Sequence, residues 1–167
     1  MRRSPLPPES SLAPLFATAD LADAYAVTLP DSVVALPMED LAARLLGNPS
    51  WWFRALLGVR DSVMTRFGVK TTAEMRRADG RARVEFFPIL DRRADELILG
   101  EDDRHLDFRA SLLRRRDAGG QGRELVMTTV VHCHNGLGRA YIAAIRPFHH
   151  AVVRSSIKRA ERTGWRS

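Results

Sequence analysis

Glu124-Leu125-Val126-Met127-Thr128-Thr129-Val130-Val131-His132-Cys133-His134 runs through Asn135-Gly136 straight into Leu137-Gly138-Arg139-Ala140-Tyr141. The apolar period changes there from two to about 3.6, so a strand must hand over directly to a helix. In the strand, Leu125, Met127, Thr129, Val131 and Cys133 share one side, and Val126, Thr128, Val130, His132 and His134 share the other. Neither side is strongly polar, which predicts a central strand or one that lines a cavity. Asn135 is placed to cap the helix. The helix should run from about 137 to 162 with Leu137, Tyr141, Ile145, Phe148 and Val152 as its inward stripe. Pro147 lies inside it and should bend it, since its ring removes one backbone bond and crowds the preceding turn.

Upstream, short strand-like runs at 84–90, 96–100 and 106–113 are separated by Asp91-Arg92-Arg93, Glu101-Asp102-Asp103 and Asp117-Ala118-Gly119-Gly120. Such clusters are hairpin signals, so these runs and 124–134 predict an antiparallel meander. Leu106, Phe108, Ala110 and Leu112 alternate with polar residues, giving that strand one buried face. Two helices are expected before the meander. The first starts at Pro37, carries Leu41, Leu45 and Leu46, and ends on Gly47 as a left-handed cap. The second starts at Asn48-Pro49 and runs to Phe67, with Trp52, Leu56, Val59 and Val63 beside Phe53, Leu57 and Met64. A first strand closes at Pro30-Asp31, and residues 1–17, rich in Pro and Ser, read as a mobile lead-in. The expected organisation is a lead-in at 1–17, one domain at 18–163 and a tail at 164–167.

A chain of 167 residues with 45% hydrophobic content suits one α+β domain with a real core. Charged residues interrupt every hydrophobic run, so no membrane-spanning segment is expected. Three prolines near the start argue against a secretory signal, and the single Cys133 fits a reducing, cytoplasmic setting. The net charge of +6 is not spread evenly. Residues 1–136 hold 19 basic and 19 acidic side chains, whereas 137–167 hold seven basic ones against Glu161 alone. The near-total use of Arg over Lys looks compositional, and no nucleic-acid motif accompanies it. Nucleic acid is therefore not the expected partner.

The order of strand, two helices, antiparallel meander and long closing helix resembles the helix-grip fold of the START and birch-pollen-allergen superfamily. It implies a curved antiparallel sheet wrapped around the C-terminal helix. Separately, Trp52-Phe53-Arg54-Ala55-Leu56-Leu57, the run from Leu99 to Arg109, His134-Asn135 with Gly138-Arg139-Ala140-Tyr141, and Pro147-Phe148-His149 resemble the bacterial domain-of-unknown-function family numbered 2867. That resemblance covers roughly 20–157 and implies no activity. Some relatives carry the domain behind a nicotinamide-dinucleotide-binding domain, which implies such a partner chain for this one. Here Gly136 and Gly138 are followed by Tyr141 where a dinucleotide loop needs its third glycine, so no cofactor is expected.

Candidate chemistry falls into several groups. Glu101-Asp102-Asp103-Arg104-His105 is either an acid/base set, with crowded carboxylates raising one another's pKa, or a solvated hairpin tip. His132 and His134 project from one face, but a third metal ligand is not evident, so no metal is expected. His149 and His150 point about 100° apart on a helix and should not share an ion. Cys133 reads as a structural thiol. Trp51, Trp52 and Phe53 read as core or cavity wall rather than a base-stacking platform. Arg114-Arg115-Arg116 reads as an exposed strand end.

The leading expectation is a domain that binds a small hydrophobic molecule in a cavity between the sheet and the closing helix. Trp52, Met64, Met127 and Phe148 would supply walls, and Tyr141, Arg109, Asp107 and His149 the polar contacts. Two alternatives remain open: an enzyme in the same cavity using Asp102, Asp103, His105 or His134, and an interaction module using the basic last helix.

Overall fold

Alternation along 106–116 and 123–133 produces the longest strand pair among the described residues, β6 (Leu106–Arg116) and β7 (Arg123–Cys133), paired eleven residues deep in unbroken register from Leu106↔Cys133 to Arg116↔Arg123. The computed structural model describes residues 1–47, 82–85, 87–117, 119–120 and 122–166. The expected meander continues outward through β5 (Glu96–Asp102), β4 (Phe87–Arg92) and β3 (Arg83–Val84), each antiparallel to its neighbour. On the other side of β7 lies β2 (Leu21–Thr28), followed by β1 (Arg2–Ser4) at the edge. The sheet order is β1-β2-β7-β6-β5-β4-β3, so β7, apolar on both sides, is central as its composition predicts.

Two α-helices belong to the described residues. α1 (Met38–Leu46) follows Pro37 and buries Leu41, Ala42 and Leu45, in keeping with its expected stripe. The left-handed cap expected at Gly47 does not form. Gly47 is extended at φ −62° and ψ 158°, and a Cβ there would meet the Ala43 carbonyl at 2.4 Å, so glycine serves close approach and not a positive φ. The expected second helix, including Trp52 and Met64, lies outside the described residues.

The closing helix α2 (Gly136–Arg162) is continuous, with Pro147 inside it. The Asn135 side chain accepts from the Gly138 amide at 3.1 Å, as expected for its cap. Its inward stripe overlaps the expected one only in part: Tyr141 and Ile145 pack on the Leu21, Val131 and Ile142 cluster from half-buried positions. The buried residues are Gly138, Ile142, Val153, Ser156, Ile157 and Ala160, and Phe148 is 50% exposed. The helix is turned by roughly one residue, about 100°. Its first half is apolar on several sides, so pattern alone does not choose the face, and sheet partners for His149 and His150 do. After the helix, Gly164 at φ 60° lets the chain double back and bury Trp165, whose amide donates to the Ala160 carbonyl at 2.8 Å. The expected C-terminal tail thus carries a core residue.

One face of the sheet packs Tyr25, Val27, Leu97, Leu99, Leu112, Leu125 and Met127 against α1, the second half of α2 and Trp165. Next to it, Leu21 and Val131 pack on Ile142, with Phe108, Tyr141 and Ile145 around them. The reverse face is covered by the segment expected to be a lead-in. Leu6 packs on Ala24, Ala26, Leu113 and Val126, while Leu12, Leu15 and Phe16 pack on Ile98 and Val130. The 3-10 helix Ala13–Thr18 completes that cover.

Polar anchors fix this segment. Glu96, 4% exposed, accepts from the hydroxyls of Ser10, Ser11 and Ser111, each at 2.6 Å, and from the Ser11 amide at 3.0 Å. Buried Glu124 pairs with Arg2 at 2.5 Å and Arg115 at 2.9 Å, and Arg115 also holds Glu9 at 2.6 Å. Arg114 donates to the carbonyls of Val34 and Leu36, both at 2.8 Å. Arg114 and Arg115 are therefore structural struts, and only Arg116 of the triplet is exposed.

Candidate functional site

β2 carries the acid that sequence reading passed over. Leu21, Asp23, Tyr25 and Val27 alternate with alanines, which directs all four to the helix face. Asp23 is buried there, its side chain 2% exposed, opposite α2. The Asp23 Oδ1 lies 3.2 Å from His149 Nε2, and Oδ2 lies 3.7 Å from His150 Nδ1 without a hydrogen bond of its own. The Tyr25 hydroxyl shares a short hydrogen bond with His150 Nδ1, and the two rings meet edge to face at 6.0 Å. Burial, then the Asp23 charge, push the Tyr25 phenol above its ordinary pKa, with Arg3 opposing. Adjacent residues on a helix serve one carboxylate because Asp23 presents its two oxygens to two different rings.

This cluster opens on a hollow of about 390 Å³ lined by Arg3, Tyr25, His150, Arg154, Lys158 and Glu161, together with Met1 and Arg2. His150, Arg154 and Lys158 are four residues apart and make one row on α2. Arg3 is the register partner of Tyr25 across β1 and β2. The hollow therefore lies between the sheet edge and the second half of the closing helix.

The residues expected from sequence are divided between the two sides of the sheet. Met127 is buried in the core beside Tyr25, its register partner, and half-buried Tyr141 packs near Ile142. His149 is turned inward onto Asp23. Phe148, expected as a wall, points outward. Arg109 and Asp107 lie on the face away from α2, because their register partners Val130 and His132 do. Arg109 pairs with Asp102 at 2.5 Å and donates to the Phe108 carbonyl at 3.0 Å. This corrects its expected placement under the helix.

The acidic hairpin tip resolves mainly into structural contacts. Asp103 accepts from the His105 amide at 3.3 Å, in the geometry of a tight turn. His105 is buried, its Nδ1 2.9 Å from Asn135 Nδ2, and its carbonyl accepts from the His134 amide at 2.9 Å. A Cβ on Gly138 would meet that same carbonyl at 2.3 Å, so the start of α2 seats directly on this turn. His134 pairs with Asp107 at 3.0 Å, and this hydrogen bond foremost raises its pKa. Asp102, Asp103, His105 and His134 do not converge on the Asp23 cluster.

Among the described residues, no three His, Cys, Asp or Glu side chains come together as a metal site. His132 instead contacts Thr18 at 3.0 Å. Cys133 is half-buried, and burial followed by the charge of Asp20 pushes its thiol up, away from nucleophile chemistry. Among the described residues, no helix is long and apolar enough to cross a membrane.

Fold and site together define an α+β domain: an antiparallel seven-stranded sheet, a closing C-terminal helix, and a buried carboxylate–histidine–tyrosine cluster between them. The chain belongs to the DUF2867 family, described as a protein of unknown function, whose model matches residues 15–156. No curated protein and no solved structure matches it.

Proposed function

We propose that this chain is a helix-grip domain of the START and birch-pollen-allergen kind that binds a small molecule between its sheet and its C-terminal helix. The binding site is the hollow at Tyr25 and His150. Buried Asp23 carries this reading. Desolvating a carboxylate costs several kcal/mol, and an apolar side chain in its place would pack with less penalty. Such a group persists where a site needs it, and here it sits directly behind the two side chains that line the hollow. The hollow, about 390 Å³ and open on one side, gives a small molecule a concave seat. The lining moves the expected ligand from an apolar body to one with a polar end.

A melting-temperature screen of soluble metabolites on the full chain tests this, run beside Tyr25→Phe and His150→Ala. A compound that stabilises the wild type and neither variant supports the site. Compounds that stabilise all three equally would place binding elsewhere.

A second reading, an enzyme in the same hollow, is favoured by one feature. His150 Nδ1 is engaged by the Tyr25 hydroxyl with Asp23 behind it, while Nε2 makes no hydrogen bond among the described residues. An imidazole so backed is suited to general-base work. A ligand recovered chemically changed from the wild type and unchanged from His150→Ala would support it. Recovery unchanged from both would leave binding alone.

A further inference from the structure

We infer that the ligand of this hollow carries a phosphomonoester group, held by Arg3, Arg154 and Lys158. The inference rests on the small-molecule reading of the same hollow. Among the described residues, none of these three cations has a carboxylate partner, whereas the other charges at the rim are matched. Arg2 is tied to Glu124, and Glu161 takes the Met1 amine at 3.2 Å. Three unpaired cations around one concave space repel one another, and a monocarboxylate would neutralise only one of them. A phosphomonoester brings between one and a half and two negative charges and three acceptor oxygens, which matches guanidinium forks and an ammonium.

Asp23 does not oppose this. It is buried behind His149 and His150 and does not line the hollow. The hollow is also larger than a phosphate alone, which leaves room for an organic body beyond the phosphoryl group. Tyr25 and His150, edge to face at 6.0 Å, give that body an aromatic wall. The row His150, Arg154 and Lys158 on one strip of α2 and Arg3 on β1 approach the ligand from two elements, so the site exists only once helix and sheet edge are docked.

The test titrates phenyl phosphate into the full chain at low ionic strength by calorimetry, with histidine resonances followed by NMR. Wild type is compared with Arg154→Glu, Lys158→Glu and, on an exposed part of the helix outside the hollow, Arg146→Glu. The expected result is a Kd weakened about tenfold or more by each of the first two, with Arg146→Glu changing it less than about twofold. Equal weakening by all three would overturn the proposal in favour of general attraction to a basic helix. Benzyl alcohol separates the two levels of the reading. If it perturbs His150 while phenyl phosphate does not, the hollow binds ligand and the phosphomonoester assignment falls; if neither perturbs His150, both fall. Vesicles of phosphatidylcholine with and without phosphatidic acid separate the sources. Flotation that needs phosphatidic acid and is lost in Arg154→Glu assigns a lipid phosphomonoester, and phenyl phosphate binding without flotation assigns a soluble one.

Discussion

Glu96→Ala should loosen the whole N-terminal segment from the reverse face of the sheet. The Glu96 carboxylate takes hydroxyls from Ser10, Ser11 and Ser111 and the Ser11 amide, and no cation offsets its burial in the contacts it makes. Hydrogen bonds to a charged acceptor are worth about 1.5–3 kcal/mol each, partly returned when the carboxylate no longer has to be desolvated. A net loss of about 3 kcal/mol is expected in urea melts. Ser10→Ala removes one donor and should lose about 1–2 kcal/mol, with the double variant less than additive because the two share a bond. The pH dependence has a definite sign. Burial is the largest influence on Glu96 and would raise its pKa, but the hydroxyls and the Ser11 amide together outweigh it and hold the pKa below its ordinary value. The folded state therefore binds this proton less readily than the unfolded chain. The stabilisation is full above the unfolded carboxyl range and is lost as pH falls through the folded pKa. Glu96→Gln has no such proton to gain and should flatten the acid limb of stability against pH. A loss below about 1 kcal/mol for Glu96→Ala, or an acid limb unchanged in Glu96→Gln, would refute this view of the segment.

Trp165→Ala should destabilise by about 3–5 kcal/mol in denaturant melts, as a fully buried aromatic does. Phe148→Ala should change stability by less than about 1 kcal/mol, which separates the observed helix face from the one its pattern suggests. Gly138→Ala should lower the melting temperature, because the new Cβ is driven onto the His105 carbonyl and the start of α2 must lift. His134 should titrate above an ordinary histidine by NMR, and Asp107→Asn should bring it back down; an unmoved His134 in that variant would remove Asp107 as the cause.

The meander, the central position of β7, the bounds of α1 and the Asn135 cap were all legible, because each rests on a local signal: period-two alternation, turn residues, a proline start, or a capping side chain. The face of α2 was not. Ile142, Ile145, Phe148 and Val152 offer apolar atoms in several directions, and the choice is made by His149, His150 and Ser156 finding places against the sheet. The N-terminal cover was missed because Pro- and Ser-rich composition has no period. Its order comes from isolated anchors, Leu6, Leu12 and Phe16, and from hydroxyls that meet Glu96 some 85 residues away. The candidate site was half visible. His149 and His150 were named, and the basic character of the last helix was noted, but nothing in the first strand drew attention to Asp23 and Tyr25. The row His150, Arg154 and Lys158 was the signal that would have found the rim, once spaced by four along the helix. Arg109 and Asp107 were assigned to the wrong side because alternation says which residues share a face and not which face meets the helix.

Native mass spectrometry of the full chain purified from its own cells, beside His150→Ala and Arg154→Glu, measures the central claim most directly. The account predicts a small-molecule adduct on the wild type that is lost or sharply reduced in both variants while all three remain folded. An adduct retained equally by all three proteins would contradict it.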